Sequence, residues 1–271
     1  MPAPRSTSCR ASTAAGSGSR TRRPPTPAAA VRPSRCSVRD TGSGRAVSPR
    51  AALVYEHVAF DLDGTLIDSR ADLTAAVNHV LRRLGLAELP PAILYRYVGD
   101  GARVLVERAL GSDHQDRLAA GVEAFMAYYG AHLLDATRPY PGVEEALAAL
   151  AARGVACSVL TNKPEAMSRA ILEGLGLTAR FVAVLGGDSL PVRKPDPAGL
   201  ERLRALTATA RERMLLVGDS GIDVRTARAG GVAFCGVAWG LAPEALEAAQ
   251  PERIITHPRE LVAVVEGGEF R

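Results

Sequence analysis

The sequence contains no run of about 18 apolar residues, so no membrane-spanning helix is expected. Cysteine is scarce, and the four present (Cys9, Cys36, Cys157, Cys235) share no metal-ligand spacing. Two of them sit in apolar, strand-like runs, so they read as reduced core or tail residues of a cytosolic protein. The five histidines are scattered and form no metal-binding pair. Lysine is rarer still: arginine makes up 31 of the 33 basic residues.

What remains is 47% apolar and 23% charged over 271 residues, the balance of a folded chain with room for one large domain or two smaller ones. Its basic character comes from one end. Residues 1–50 hold ten Arg and one Asp, whereas the rest of the chain carries a net charge of −5. Nothing in that mildly acidic remainder suggests a nucleic-acid surface. Residues 1–53 are rich in Ser, Pro, Ala, Gly and Arg without an apolar period. Such a stretch cannot bury enough surface to order itself, so a disordered tail is expected. A transit peptide or a basic interaction arm would share this composition. The favoured reading is translation of upstream, GC-rich DNA through a misplaced start codon, since the Arg, Ala, Gly and Pro bias runs through the whole chain. Arg22–Arg23 is followed by no apolar stretch, which argues against a secretory signal.

From residue 54 the pattern is regular. Residues 55–60 (YEHVAF) read as a buried strand. Ser69 with Asp72 three residues on is expected to form a capping box, followed by Leu73, Val77, Val80, Leu81 and Leu84 at helical spacing up to Gly85. Pro90–Pro91 mark a turn. A short helix is expected over residues 102–110 and a longer one over 116–134, with Leu118, Val122, Phe125, Met126, Tyr129 and Leu133 on a packing face. Residues 70–137 therefore form an all-helical unit. Beyond Pro139 helices and strands alternate: helices 143–153, 164–175, 197–207 and 222–229, strands within 155–162, 181–187, 214–219 and 232–240, and a last short strand near 253–256. Alternation implies right-handed crossovers and a doubly wound parallel sheet, a Rossmann-like α/β core of residues 54–69 and 138–271 with the helical unit inserted.

Such sheets place their sites outside the carboxyl ends of the strands. Asp61, Thr161 and Asp219 each stand at such an end and should meet at one rim. In AFDLDGTLID, Asp61 and Asp63 close an otherwise apolar strand, and GDSGID adds Asp219 and Asp223. Four converging carboxylates would raise one another's pKa, and a hard divalent cation with oxygen ligands, Mg²⁺, removes the conflict. The two lysines, Lys163 in LTNKPE and Lys194 in VRKPDP, both fall in loops after strands. In a chain that otherwise uses Arg, Lys at these places suggests a compact point charge, against the plainer reading of solvated loop lysines.

Over residues 54–265 the chain resembles the haloacid-dehalogenase-like superfamily of phosphohydrolases. DLDGT matches its first motif, Thr161 its second, Lys194 its third and GDSGID its fourth. Within the superfamily it is similar to the phosphoglycolate phosphatase family through DLDGTLIDS, VGDGARVLVERALG, LTNKPE, LGGDSLPVRKPDP and VGDSGIDVRTARAGG. Two departures stand out: the tail has no counterpart there, and GDGAR lacks the Asn that family often has between the glycines. The resemblance implies that residues 70–137 are a small cap, with no room for a second kind of cap before Lys194. It implies that Asp61 attacks phosphorus and that Asp63 protonates the leaving alkoxide and then deprotonates water. Mg²⁺ would be held by Asp61, the backbone carbonyl of Asp63, and Asp219. Thr161, Asn162 and Lys194 would hold the transferring phosphoryl oxygens. Asp223 would orient Lys194 or metal waters, or cap a helix; Lys163 would reach substrate or stay solvated. Arg96 and Arg103, flanking the VGDG turn, would meet a small anionic substrate or serve as surface groups.

The implied activity is hydrolysis of 2-phosphoglycolate, with another small sugar-acid or sugar phosphate as the closest rival and a phosphomutase behind it. A dehalogenase would lack Asp63, and a binding protein without catalysis would show a broken motif. The implied partner is a small phosphate ester, with no nucleic acid or membrane, in a cytoplasmic monomer or homodimer.

Overall fold

The computed structural model describes residues 53–267, so the tail reading, with Cys9 and Cys36, lies outside the described residues. Among the described residues eight strands form: β1 His57–Phe60, β2 Ile67–Asp68, β3 Arg138–Pro139, β4 Ala156–Leu160, β5 Ala183–Leu185, β6 Met214–Gly218, β7 Ala233–Val237 and β8 Ile254–Ile255. Six make one parallel sheet in the order β5-β4-β1-β6-β7-β8, and β2 pairs antiparallel with β3 apart from it. Sequence order and spatial order differ because each parallel neighbour needs a crossover.

Strand side chains alternate between the two faces, and the core follows that period. Val58 and Phe60 of β1, Leu215 and Val217 of β6, and Cys235 and Val237 of β7 share one buried cluster. The intervening Ala59, Met214, Leu216 and Phe234 belong to another on the opposite face. Helices α5 (Val143–Ala152), α6 (Glu165–Gly174) and α10 (Leu261–Val265) cover the first face through residues such as Leu147, Ile171 and Val264. Helices α7 (Ala198–Thr207), α8 (Gly221–Gly230) and α9 (Pro243–Ala248) cover the second through Leu203, Val224 and Leu246. The sheet is therefore doubly wound and buried on both faces, which is why its strands read as near-continuous apolar runs. Cys157 and Cys235 are free and buried, and burial pushes both thiols up to about 12. No described helix is long and apolar enough to cross a membrane.

Between β2 and β3 lie α1 (Arg70–Arg83), α2 (Pro91–Tyr95), α3 (Ala102–Leu110) and α4 (Leu118–Ala131). They have a core of their own, with Leu73, Val77, Val80 and Leu81 packed against Leu105, Val106 and Phe125. Three expectations change here. The Pro90–Pro91 pair starts a short helix rather than a plain turn, with Pro91 in the first turn where a missing N–H costs nothing. The long helix expected over 116–134 is shorter: residues 116–117 close a 3-10 stretch, Ser112–Arg117, and α4 ends at Ala131, where His132 leaves helical geometry at φ −130°. The Ser69–Asp72 capping box is absent: Ser69 makes no cap bond. Asp72 instead accepts from the backbone N–H groups of Ala136 (2.9 Å) and Thr137 (2.8 Å) and from Thr137 Oγ1 (2.7 Å). A carboxylate offered three donors is better satisfied across the chain than by one local N–H.

Candidate active site

The three central strands, β4, β1 and β6, end side by side, and their next residues are Thr161, Asp61 and Asp219. Adjacent parallel strands in register carry these three side chains to one rim without any help from the loops. Asp61 is still hydrogen-bonded into the sheet, its N–H donating to Val217 O at 2.9 Å. One carboxylate oxygen from each of Asp61, Asp219 and Asp223 lies within 4.8 Å of the others, and all three residues are buried.

Lys194 stands among these acids. Its Nζ donates to Asp223 Oδ1 at 2.6 Å and lies 2.8 Å from Asp61 Oδ1. The second contact is an ion pair without hydrogen-bond geometry, so Asp61 Oδ1 is buried with no hydrogen bond. Burial alone would lower the Lys194 ammonium, yet Asp223 and Asp61 overrule it and hold it above its ordinary value. Burial pushes the Asp61 carboxyl up to about 6, with Lys194 opposing and Asp223 adding to the rise. Asp219 is raised well above the usual carboxylate range, first by burial and then by Asp61 and Asp223. It accepts from Leu241 N–H (2.9 Å) and Thr65 Oγ1 (3.2 Å) and makes no ion pair with a cation among the described residues.

Three buried carboxylates against one ammonium are short of positive charge, and an orphaned Asp61 oxygen faces the same cluster. All the donors are hard oxygens. The residues therefore fit a divalent cation of the Mg²⁺ type. The packing reserves this place: a Cβ on Gly64 would sit 2.1 Å from Asp219 Oδ2, and one on Gly240 would sit 2.6 Å from it. Only glycine lets both loops close on that carboxylate, and Gly64 also takes φ +83°.

Asp223 fills both roles weighed for it. It holds Lys194 through Oδ1, and its Oδ2 accepts from Ser220 in a capping box that starts α8. Thr161 accepts from Lys163 N–H at 3.2 Å through its hydroxyl. The side chain of Asn162 is engaged within the protein. Its Nδ2 donates to Gly99 O (3.1 Å) and Lys194 O (3.0 Å), which uses both amide hydrogens, while its buried Oδ1 has no partner. The side chain ties the VGDG turn to the Lys194 loop. Lys163 is not a solvated loop lysine: it is buried, and its Nζ donates to Asp63 Oδ1 (2.8 Å), Asp63 Oδ2 (3.0 Å) and Tyr129 Oη (2.6 Å). Asp63 also accepts from Ser69 Oγ at 2.6 Å, which is where the expected cap residue went.

A pocket opens over Asp61 and Asp63, bounded by Thr161, Asn162, Lys163 and Met167 on the core side. On the helical side Leu73, Val98, Ala102, Leu105, Phe125 and Tyr129 line it. Arg96 and Arg103 are exposed and do not line it; the VGDG turn is instead paired by Arg108, 2.7 Å from Asp100. Sequence reasoning read Tyr129 as packing and Ser69 as a helix cap, and gave Gly64 and Gly240 no part in the site. The only signal for Tyr129 was its place among apolar residues on one helical face, where a hydroxyl is out of character.

A buried acidic rim at the carboxyl end of a parallel sheet, beneath a helical insert, is the arrangement of an α/β hydrolase. A family model described as haloacid dehalogenase-like hydrolase matches residues 58–237, and the chain belongs to that family as an enzyme of the phosphatase class. Among curated relatives, the phosphoglycolate phosphatase of Neisseria gonorrhoeae is 42% identical over 208 residues, covering 73% of this chain and 88% of that protein. That of Rhodospirillum rubrum is 44% identical over 195 residues, covering 69% and 81%. Among solved structures, a predicted phosphoglycolate phosphatase from Haemophilus somnus has a TM-score of 0.72 at 31% identity, covering 78% of this chain and 97% of its own. A predicted phosphatase from Clostridium acetobutylicum has a TM-score of 0.70 at 25% identity, covering 78% and 98%.

Proposed function

We propose that the chain is a Mg²⁺-dependent phosphatase that hydrolyses 2-phosphoglycolate to glycolate and phosphate through an aspartyl-phosphate on Asp61. The observation that carries this reading is the division of labour between two acids on one loop. Asp61 faces Lys194 and the metal-type cluster, whereas Asp63 is held away from that cluster by Lys163 and Ser69.

In the first half-reaction an Asp61 oxygen forms a bond to phosphorus as the ester P–O bond breaks, and Asp63 gives its proton to the departing alkoxide. In the second, water bonds to phosphorus, the Asp61–phosphorus bond breaks, and the proton lost by water returns to Asp63. Lys194 and the Thr161 hydroxyl stabilise the charge spread over the phosphoryl oxygens. Bound to Asp61, Asp219 and the Asp63 carbonyl, Mg²⁺ would neutralise phosphoryl charge and relieve carboxylate repulsion. Residues 70–137 act as a cap whose apolar lining excludes water and limits the substrate to small esters. The relatives' activity toward phosphoglycolate, at 42–44% identity, supports the substrate.

The test is phosphate release from a panel of 2-phosphoglycolate, sugar-acid phosphates, hexose phosphates and acetyl phosphate, with Mg²⁺ and with excess chelator. The expected result is 2-phosphoglycolate as the best alkyl ester and loss of activity in chelator. A hexose phosphate preferred about tenfold would overturn the substrate, and undiminished activity in chelator would overturn the metal.

A further inference from the structure

Tyr129 contributes a hydroxyl to a wall that is otherwise apolar on the helical side. It is 1% exposed, and its ring stacks on Phe125 with centroids 5.4 Å apart. Nothing in that packing calls for an oxygen. The oxygen instead accepts from Lys163 Nζ at 2.6 Å, and the same ammonium lies 4.6 Å from the Tyr129 ring centroid.

The stoichiometry around Lys163 decides what it does. An ammonium has three N–H donors, and here three acceptor atoms receive them: both oxygens of Asp63 and the Tyr129 hydroxyl. None is left for a substrate, so Lys163 serves as a bridge. Its chemistry suits the task, because three donors on a compact head meet three separate acceptors better than the planar fork of arginine would. In a chain with two lysines, both occupy such junctions.

We propose that Tyr129 is a positioning residue for Asp63, acting through Lys163; the proposal rests on the reading of Asp63 as the proton-transfer group. Asp63 belongs to the loop after β1 and Lys163 to the loop after β4, whereas Tyr129 comes from α4 of the inserted helical segment. The acid is thus fully seated only when that segment is docked, and docking is reported to Asp63 as a geometry. Without the hydroxyl, a buried ammonium loses one of three acceptors and is free to tilt, taking the carboxylate with it. Proton transfer to a departing oxygen is sensitive to such shifts, since a misplacement of about 1 Å can cost on the order of 10²-fold.

The experiment compares Tyr129→Phe, Asp63→Asn and the double variant with wild type, after thermal melts establish that each is folded. The readout is kcat/KM, which covers the steps up to phosphorylation, on 2-phosphoglycolate (or the best alkyl ester of the panel) and on acetyl phosphate, whose leaving group needs no proton. Tyr129→Phe is expected to lower kcat/KM roughly tenfold on the alkyl ester and less than about twofold on acetyl phosphate. In the Asp63→Asn background the same change should have no further effect beyond about twofold. Lys163→Gln cuts the bridge from its other end and is expected to give the same substrate-selective loss. Equal losses on both substrates, or an undiminished tenfold loss in the Asp63→Asn background, would reduce Tyr129 to packing and overturn the proposal. If Asp63→Asn alone shows no dependence on the leaving group, the acid role of Asp63 fails and this inference with it. That outcome is visible without any Tyr129 variant, so the two failures are told apart.

Discussion

Asp61 and Asp63 are separated by one residue, yet their surroundings differ, as the different chemistry proposed for them requires. Asp61 has a buried oxygen without a hydrogen bond beside Lys194, which suits the nucleophile role proposed for it. Asp63 is held by Lys163 and Ser69, the condition of a group whose position matters more than its reach. Asp61→Asn should abolish turnover, because no covalent intermediate can form. Asp63→Asn should retain phosphorylation by acetyl phosphate but lose about 10²–10⁴-fold on alkyl esters, the usual worth of positioned proton transfer. Mass spectrometry after rapid acid quench should find added phosphate on the Asp61 peptide, accumulating in Asp63→Asn. If wild type turns over and neither it nor Asp63→Asn ever shows that mass, direct attack by water is the mechanism.

At the scale of elements, the question is how a helical segment is tied to the loops it leaves and re-enters. The β2–β3 pair brings Ile67–Asp68 and Arg138–Pro139 together, and Asp72 of α1 binds the backbone of Ala136 and Thr137 just before the return. Both ties lie at the base of the segment, away from its own core around Val77 and Phe125. Asp72→Asn keeps the size but removes the charge and exchanges an acceptor for a donor facing N–H groups. It should cost about 1–3 kcal/mol in denaturant unfolding. A loss below about 0.5 kcal/mol would mean that water replaces the carboxylate and that the tie is incidental.

For the whole molecule, pH acts on stability through a group remote from the rim. His57 opens β1, is fully buried, and meets Ser158 Oγ and Thr207 Oγ1 at 2.9 Å each. Burial lowers its pKa to about 4, from 6.5 for an imidazole exposed in the unfolded chain. Between those values the unfolded chain binds a proton that the folded one does not. The stability associated with neutral His57 is therefore complete above about pH 6.5 and is lost as pH falls toward 4, by on the order of 3 kcal/mol. Unfolding free energies of His57→Gln should fall less steeply than wild type over that window. Parallel slopes would show that His57 is protonated in the folded state after all.

Much of this was legible in the residues. Strands β1, β4, β6 and β7 were readable because a sheet buried on both faces writes apolar runs, and Asp61, Thr161 and Asp219 were readable because breakers follow those runs directly. Strand ends are local events, and a parallel register carries them to one rim with no further information. The rest depends on contacts between distant parts of the chain. Whether Asp72 caps a helix or binds Thr137, and whether Asn162 donates to substrate or to Gly99, depends on which donor or acceptor is nearer in space. Lys163 could be solvent-exposed by every local rule, and only the arrival of Tyr129, 34 residues earlier in the chain, and of Asp63, 100 residues earlier, buries it. Sequence alone determines period, punctuation and the kinds of chemical group available. Tertiary structure decides which of those groups spend their hydrogen bonds on one another and which, like Asp61 Oδ1, keep an acceptor with no donor hydrogen-bonded to it.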